Sequence, residues 1–382
     1  MGALQGYFFW GFLIAFGIAM YLVVPRSKDE AGFFSGHDDQ GRPASEWALM
    51  MSIFISWIFA KSVTNAANLG ATYGVVGGLA YAAYWLSIPV AGLVIYRLRT
   101  REGATGLVPF LIHKYGRGAA LAFSLAILVR LFNEVWSNTA VVGGYYGASG
   151  SAGFIGAALL FTAAMLRAFV VAGVLGFVAI FAFSLVGVHA RLEGLAASGN
   201  VPAEVARGLG VAGYFAMIVV MVTSAGSTLD STFTSLSKLV ARELPLLAGR
   251  LPSPKAMTVG ALTMVAFALL GNLPMIAGTD ILKATTISGT MVIGLAPIFM
   301  FSGRVGHSPL SFHLAFWPGI ALGVLLAVNG LPAAWAIGSG KYAVLLGTNL
   351  YGLLLCTAGF FLPLVAPRFR AGVSLGRSGT AA

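Results

Sequence analysis

A chain of 382 residues that is 58% hydrophobic and only 9% charged is not composed like a water-soluble domain, where roughly a quarter of the residues carry charge. A soluble fold of this length could not hide so much apolar surface, so the composition excludes that class and points to an all-α integral membrane protein. The net charge of +11 is no sign of nucleic-acid binding, because the basic residues lie in short connections between apolar runs and form no basic helix face.

In chain order the apolar runs predict eleven transmembrane helices, at 6–25, 47–66, 72–96, 118–138, 152–166, 168–187, 209–237, 256–272, 284–301, 309–329 and 342–365. Each approaches the ~20 residues that cross a hydrocarbon core of ~30 Å. Helices are the required form, since open strands leave backbone groups unpaired in lipid, and the alternating segments of a membrane barrel are absent. The first run has no basic leader and no small-residue cleavage site, so it is read as a retained span. Residues 1–365 are read as one transmembrane domain, and the Arg-, Gly- and Ser-containing tail 366–382 is expected to be disordered. The single cysteine, Cys356, excludes an intramolecular disulfide.

Basic residues in alternate connections set the expected topology. One side holds 16, from Arg26, Lys28 and Arg42 through Arg97 to Arg117, Lys238 to Lys255 and Arg304 to Arg377. The other holds four, Arg191, Arg207, Lys283 and Lys341. This places the N-terminus outside and the C-terminus in the cytoplasm, with the chain in the inner cell membrane. Residues 152–187 are almost continuously apolar, broken only by Arg167. One helix of that length would reverse the side of every later loop, so two spans are expected; a single residue cannot turn a hairpin, and an internal gap is inferred near 166–167.

Ionisable groups at membrane depth are costly and therefore mark function. They are Lys61, Arg130, Glu134 and Asp230. Arg130 and Glu134, four residues apart, can pair on one helix face, beside Asn133, Ser137 and Asn138, which suit a cavity wall. Lys61 either lines a site or snorkels to an interface. Around Lys61-Ser-Val-Thr-Asn65 the second apolar run breaks, as discontinuous transporter helices do where they bind ions and substrates. At 100° per residue, Thr223, Ser227, Asp230, Ser231 and Thr234 share one face, which serves either interhelical packing or coordination of a small hard cation. Span 284–301 is a third breakable helix, with Thr286 near its start and Gly294 and Pro297 within it. Nucleophile–base pairs, metal-ligand clusters and phosphate loops are absent from the sequence pattern, so an enzyme is not expected.

These stretches together resemble the sodium:solute symporter family, which includes sodium/proline and sodium/sugar carriers. The resemblance rests on Gly32-Phe-Phe-Ser-Gly36, Ser56-Trp57 through Gly70-Ala-Thr-Tyr73, Arg130-Leu-Phe-Asn-Glu-Val-Trp-Ser-Asn-Thr139 and Thr285-Thr-Ile-Ser-Gly-Thr-Met291. Its most specific part is Ser224-Ala-Gly-Ser-Thr-Leu-Asp-Ser-Thr-Phe233. The resemblance implies an inverted-repeat architecture of the leucine-transporter type, and symport of a small organic solute driven by Na+. It implies a Na+ site from the carbonyls of Trp57, Ala60 and Val220 and the hydroxyls of Thr223 and Ser224. Lys61, Asn65, Asn133, Glu134, Ser227, Asp230 and Thr286 are the expected solute and cavity residues. Such carriers have about thirteen spans, so the repeat is incomplete here: the fifth and sixth core helices have no counterpart. The alternatives are a proton-coupled or sodium-independent carrier, suggested by Lys61, and a non-transporting sensor or internally deleted remnant. The expected partners are a small-molecule solute and the lipid bilayer.

Overall fold

The computed structural model describes residues 3–23, 58–165, 185–194, 200–272, 281–302 and 308–365, and every regular element among them is helical. Five helical stretches there are long and apolar enough to cross a membrane: Val75–Arg101, Arg117–Gly143, Gly210–Leu247, Pro309–Ala327 and Ala343–Val365. Shorter apolar helices cover Gly6–Ala19, Ala152–Thr162 and Ala256–Leu270. Long apolar helices in this number are the mark of a membrane-embedded helical protein. The Gly32–Gly36 loop, Trp57, most of the expected span 168–187, the inferred gap at 166–167 and the tail 366–382 lie outside the described residues.

The chain divides into two compact units, one of residues 1–87 and 131–285, the other of residues 88–130 and 286–382. In the first unit α1 (Ala3–Val23) is followed by α2 (Ala60–Tyr73) and α3 (Val75–Ala83). Between α2 and α3, Gly74 takes φ +66, a left-handed conformation that a side chain would strain. A 3₁₀ turn at Tyr84–Leu86 leads into α4 (Ser87–Arg101), then α5 (Leu107–Tyr115) and the 27-residue α6 (Arg117–Gly143). Next come α7 (Ala152–Met165), a helical stretch at 185–192, α8 (Val201–Gly208) and the 29-residue α9 (Gly210–Lys238). After a π-helical turn at Leu239–Glu243 come α10 (Leu244–Leu247), α11 (Ala256–Leu270), α12 (Ile281–Met291), α13 (Leu295–Phe301), α14 (Pro309–Ala327) and α15 (Ala343–Val365).

Aromatic packing joins α1, α7 and α9 in the first unit. Phe16 stacks on Phe161, and Phe215 meets Phe8, Phe9 and Phe12. A polar node fastens α6, α7 and the end of α11: the Thr139 hydroxyl donates to Asn272 Oδ1 at 2.5 Å, and Asn272 Nδ2 donates to Thr162 Oγ1 at 3.2 Å. Hydrogen bonds of this kind hold apolar helices together where the hydrophobic effect does not discriminate between helix and lipid.

In the second unit the expected breakable span is two helices, parted at Val292–Gly294. The break is fitted to its neighbour, since a Cβ at Gly294 would overlap the Ala315 carbonyl of α14. Gly323 and Gly359 allow similarly close approaches, to Met291 and to the Leu314 carbonyl. Arg97 closes the other end of α13, donating to the carbonyls of Phe299 at 2.6 Å and Met300 at 2.9 Å. A cation there satisfies orphan carbonyls and complements the helix dipole.

Candidate functional site

The densest buried polar cluster in the first unit surrounds the start of α2. Phe59, the residue before it, is extended (φ −77°, ψ 141°), and the helix then runs unbroken from Ala60 to Tyr73. The expected interruption at Lys61–Asn65 is therefore not a break in this helix. The apolar run breaks there in sequence because Lys61, Thr64 and Asn65 are polar, yet all three are helical and buried: Lys61 and Asn65 find partners on other helices, and Thr64 bonds back to its own helix.

Lys61 does not snorkel. It is 0% exposed, and its ammonium is bonded to the Glu134 carboxylate of α6, itself 7% exposed. The Lys61 backbone N–H, one of the helix's orphan donors, reaches the Asn138 side-chain oxygen at 3.3 Å. Asn138 in turn donates to the Glu134 carbonyl at 2.9 Å, so one turn of α6 grips both the side chain and the backbone of Lys61. The ammonium also lies 5.1 Å from the centre of the Phe59 ring, a cation–π distance. Beside the pair, Tyr81 of α3 donates to Ser62 at 3.3 Å and accepts from Asn65 Nδ2 at 3.5 Å. Asn65 is 0% exposed, and its Oδ1 has no hydrogen-bond partner among the described residues.

Ser224 of α9 meets this region from the other side, its hydroxyl 2.5 Å from the Ile58 carbonyl. Thr223 is exposed, and its hydroxyl turns back to the carbonyls of Val219 and Val220 of its own helix at 2.8 and 3.1 Å. The Ala60 carbonyl accepts from Thr64 at 3.1 Å. Thus Ser224 faces the chain entering α2, while Val220 and Thr223 are joined to each other. Ile58 is the carbonyl that faces Ser224, whereas the family resemblance implied the carbonyls of Trp57 and Ala60.

The buried hydroxyls of α9 lie one position along from the shared face read in the sequence. Thr228 and Thr232 are buried, at 2% and 5%, in register with Ser224, whereas Ser231 and Thr234 are only partly buried. The side chains of Ser227 and Asp230 lie outside the described residues. Asn133 is buried next to Glu134, and its carbonyl accepts from Ser137 at 2.6 Å. Thr286 belongs to the second unit, where its carbonyl accepts from Thr290 at 3.0 Å and Thr290 donates onward to Asn349 at 2.8 Å. Arg130, also of that unit, donates to Ser288 at 2.5 Å.

Two chemistries are available to such a cluster. Backbone and hydroxyl oxygens suit a hard monovalent cation, and a buried ammonium–carboxylate pair presents opposite charges where no water competes. Among the described residues no group of three His, Cys, Asp or Glu side chains could hold a metal. Comparison with protein-family models, curated proteins and solved structures finds no match to this chain.

Proposed function

We propose that the protein is a secondary active transporter that couples inward flow of Na+ to uptake of a small organic solute, built on an incomplete inverted repeat of about eleven spans. The observation that carries this reading is the meeting of Ser224 with the Ile58 carbonyl, just before α2 begins. It joins the two segments that resemble the Na+-binding helices of sodium:solute symporters, with a carbonyl and a hydroxyl already side by side. Na+ is cargo here: it enters among those oxygens and leaves on the other side of the membrane. The open Asn65 Oδ1, the Tyr81 hydroxyl and the Lys61–Glu134 pair offer the solute acceptors, donors and both signs of charge.

The pair also favours a second reading. An ammonium held at the start of α2 supplies the positive charge that Na+ would bring, and a carboxylate partner can take up and release a proton, so coupling to H+ replaces coupling to Na+. Binding of radiolabelled Na+ to the purified protein separates the two. Saturable binding, displaced by unlabelled Na+ but not by choline and weakened in Ser224→Ala, supports Na+ coupling; absence of displaceable binding supports the second reading.

A further inference from the structure

The connection between α4 and α6 in the second unit carries a concentration of positive charge that the transport reading does not use. Residues 88–130 contain a single acidic side chain, Glu102, against Arg97, Arg99, Arg101, Lys114 and Arg117 in the connection and its flanks. The fold then decides which of these charges remain available. Glu102 is bonded to Lys114 at 2.6 Å, which folds the end of α5 back to the end of α4. Arg97 is committed to the last carbonyls of α13. Arg99, Arg101 and Arg117 are exposed, and none has an acidic partner among the described residues.

Their depth follows from the helices that carry them. Arg99 and Arg101 occupy the last turn of the stretch Val75–Arg101, and Arg117 opens the stretch Arg117–Gly143, both of membrane-crossing length. A 15-residue connection made mostly of α5 joins these ends, so both ends emerge at the same membrane surface. Between them α5 lies with Val108, Phe110, Leu111 and Tyr115 buried, Phe110 6.3 Å from Phe299 and Tyr115 5.7 Å from Phe312 between ring centres. Tyr96, 69% exposed one turn before the arginines, has the amphipathic character of residues at the headgroup level.

We infer that this arch binds anionic lipid headgroups, with Arg99, Arg101 and Arg117 each offering an exposed guanidinium to a headgroup phosphate at the membrane surface. Arginine suits the role because its planar fork donates two parallel hydrogen bonds to phosphate oxygens. The Lys114–Glu102 bond holds the arch closed, and the buried face of α5 fixes its position under the headgroups.

The test is native mass spectrometry of the full-length protein in detergent, titrated with phosphatidylglycerol or phosphatidylcholine. Glycerol phosphate serves as a soluble control. The parent retains phosphatidylglycerol over phosphatidylcholine, and added salt weakens that preference. Near a membrane surface each basic residue contributes about 1 kcal/mol, or about fivefold in affinity. The triple variant Arg99→Gln, Arg101→Gln, Arg117→Gln is therefore expected to lose about 100-fold, while the Lys-for-Arg triple, which keeps the charge without the fork, falls between the Gln triple and the parent. Equal retention of the two lipids by the parent overturns the inference. Preference unchanged in the Gln variant, or glycerol phosphate bound as tightly as the lipid, overturns it as well. If the Gln variant does not fold, the salt dependence of the parent decides: a preference indifferent to salt contradicts the site.

Discussion

The ammonium of Lys61 and the carboxylate of Glu134, 73 residues apart in sequence, are bonded to each other inside the first unit, with Lys61 fully removed from solvent. Two buried charges are retained at a cost that a hydrophobic pair would not incur. Their position at the start of α2, beside the Ser224–Ile58 contact, is why the proposed transport function draws on the pair.

Removing one partner leaves the other charge buried without it. Glu134→Gln or Lys61→Met is expected to lower stability by about 3–5 kcal/mol, and the double variant Lys61→Met, Glu134→Leu to recover most of that loss. Thermal unfolding of the detergent-solubilised protein, followed by circular dichroism at the helical band, reads this. Equal losses in the single and double variants would show that the two residues do not act as a pair.

Ser224 and Thr223 separate in their expected effects. Ser224 reaches the chain before α2, whereas the Thr223 hydroxyl turns back to the Val219 and Val220 carbonyls of α9. A hydrogen bond or ligand contact to a charge is worth about 1.5–3 kcal/mol. Ser224→Ala should raise the Na+ concentration for half-maximal uptake by about tenfold or more, and Thr223→Ala by less. The reverse order would move the cation site along α9.

The broken helix of the second unit gives a glycine contrast. Gly294→Ala places a methyl group against the Ala315 carbonyl and should cost about 1–3 kcal/mol. Gly289, in α12, has open space around its missing Cβ, so Gly289→Ala should be neutral or stabilising by up to about 1 kcal/mol. Melting temperatures of the two variants in the same detergent check the pair.

The polar node of the first unit holds three helices by one side chain. Asn272→Ala removes its bonds to Thr139 and Thr162 and should lower stability by about 1–2 kcal/mol, the range for interhelical hydrogen bonds in membranes. An unchanged melting temperature would mean that water or a rotated hydroxyl replaces the amide.

Span positions were legible because apolar length is a local property: the runs at 72–96, 118–138, 209–237, 309–329 and 342–365 coincide with the five long apolar helical stretches. The break near Gly294 was legible for the same reason, since Gly and Pro act where they stand. Partnership was not. On sequence, Glu134 had Arg130 within reach on its own helix, and nothing local announces a lysine from another one. Which hydroxyls of α9 are buried was not legible, because the hydroxyls alone give a polar face and only the neighbouring helices decide which part of it is covered. α5 was missed because its nine residues are too few to register as a span and its burial depends on Phe299 and Phe312.

Accumulation of labelled solutes by proteoliposomes tests the central claim most directly, with proline, a short organic acid and urea as the first panel. Each is offered under an inward Na+ gradient, under an inward H+ gradient with choline in place of Na+, and under no gradient. The account predicts uphill accumulation of at least one solute under the Na+ gradient, abolished by choline and impaired in Ser224→Ala. Accumulation under the H+ gradient alone would transfer the coupling role to Lys61 and Glu134. Uptake equal to that of protein-free vesicles under every gradient, across a widened panel, would contradict the transporter reading itself.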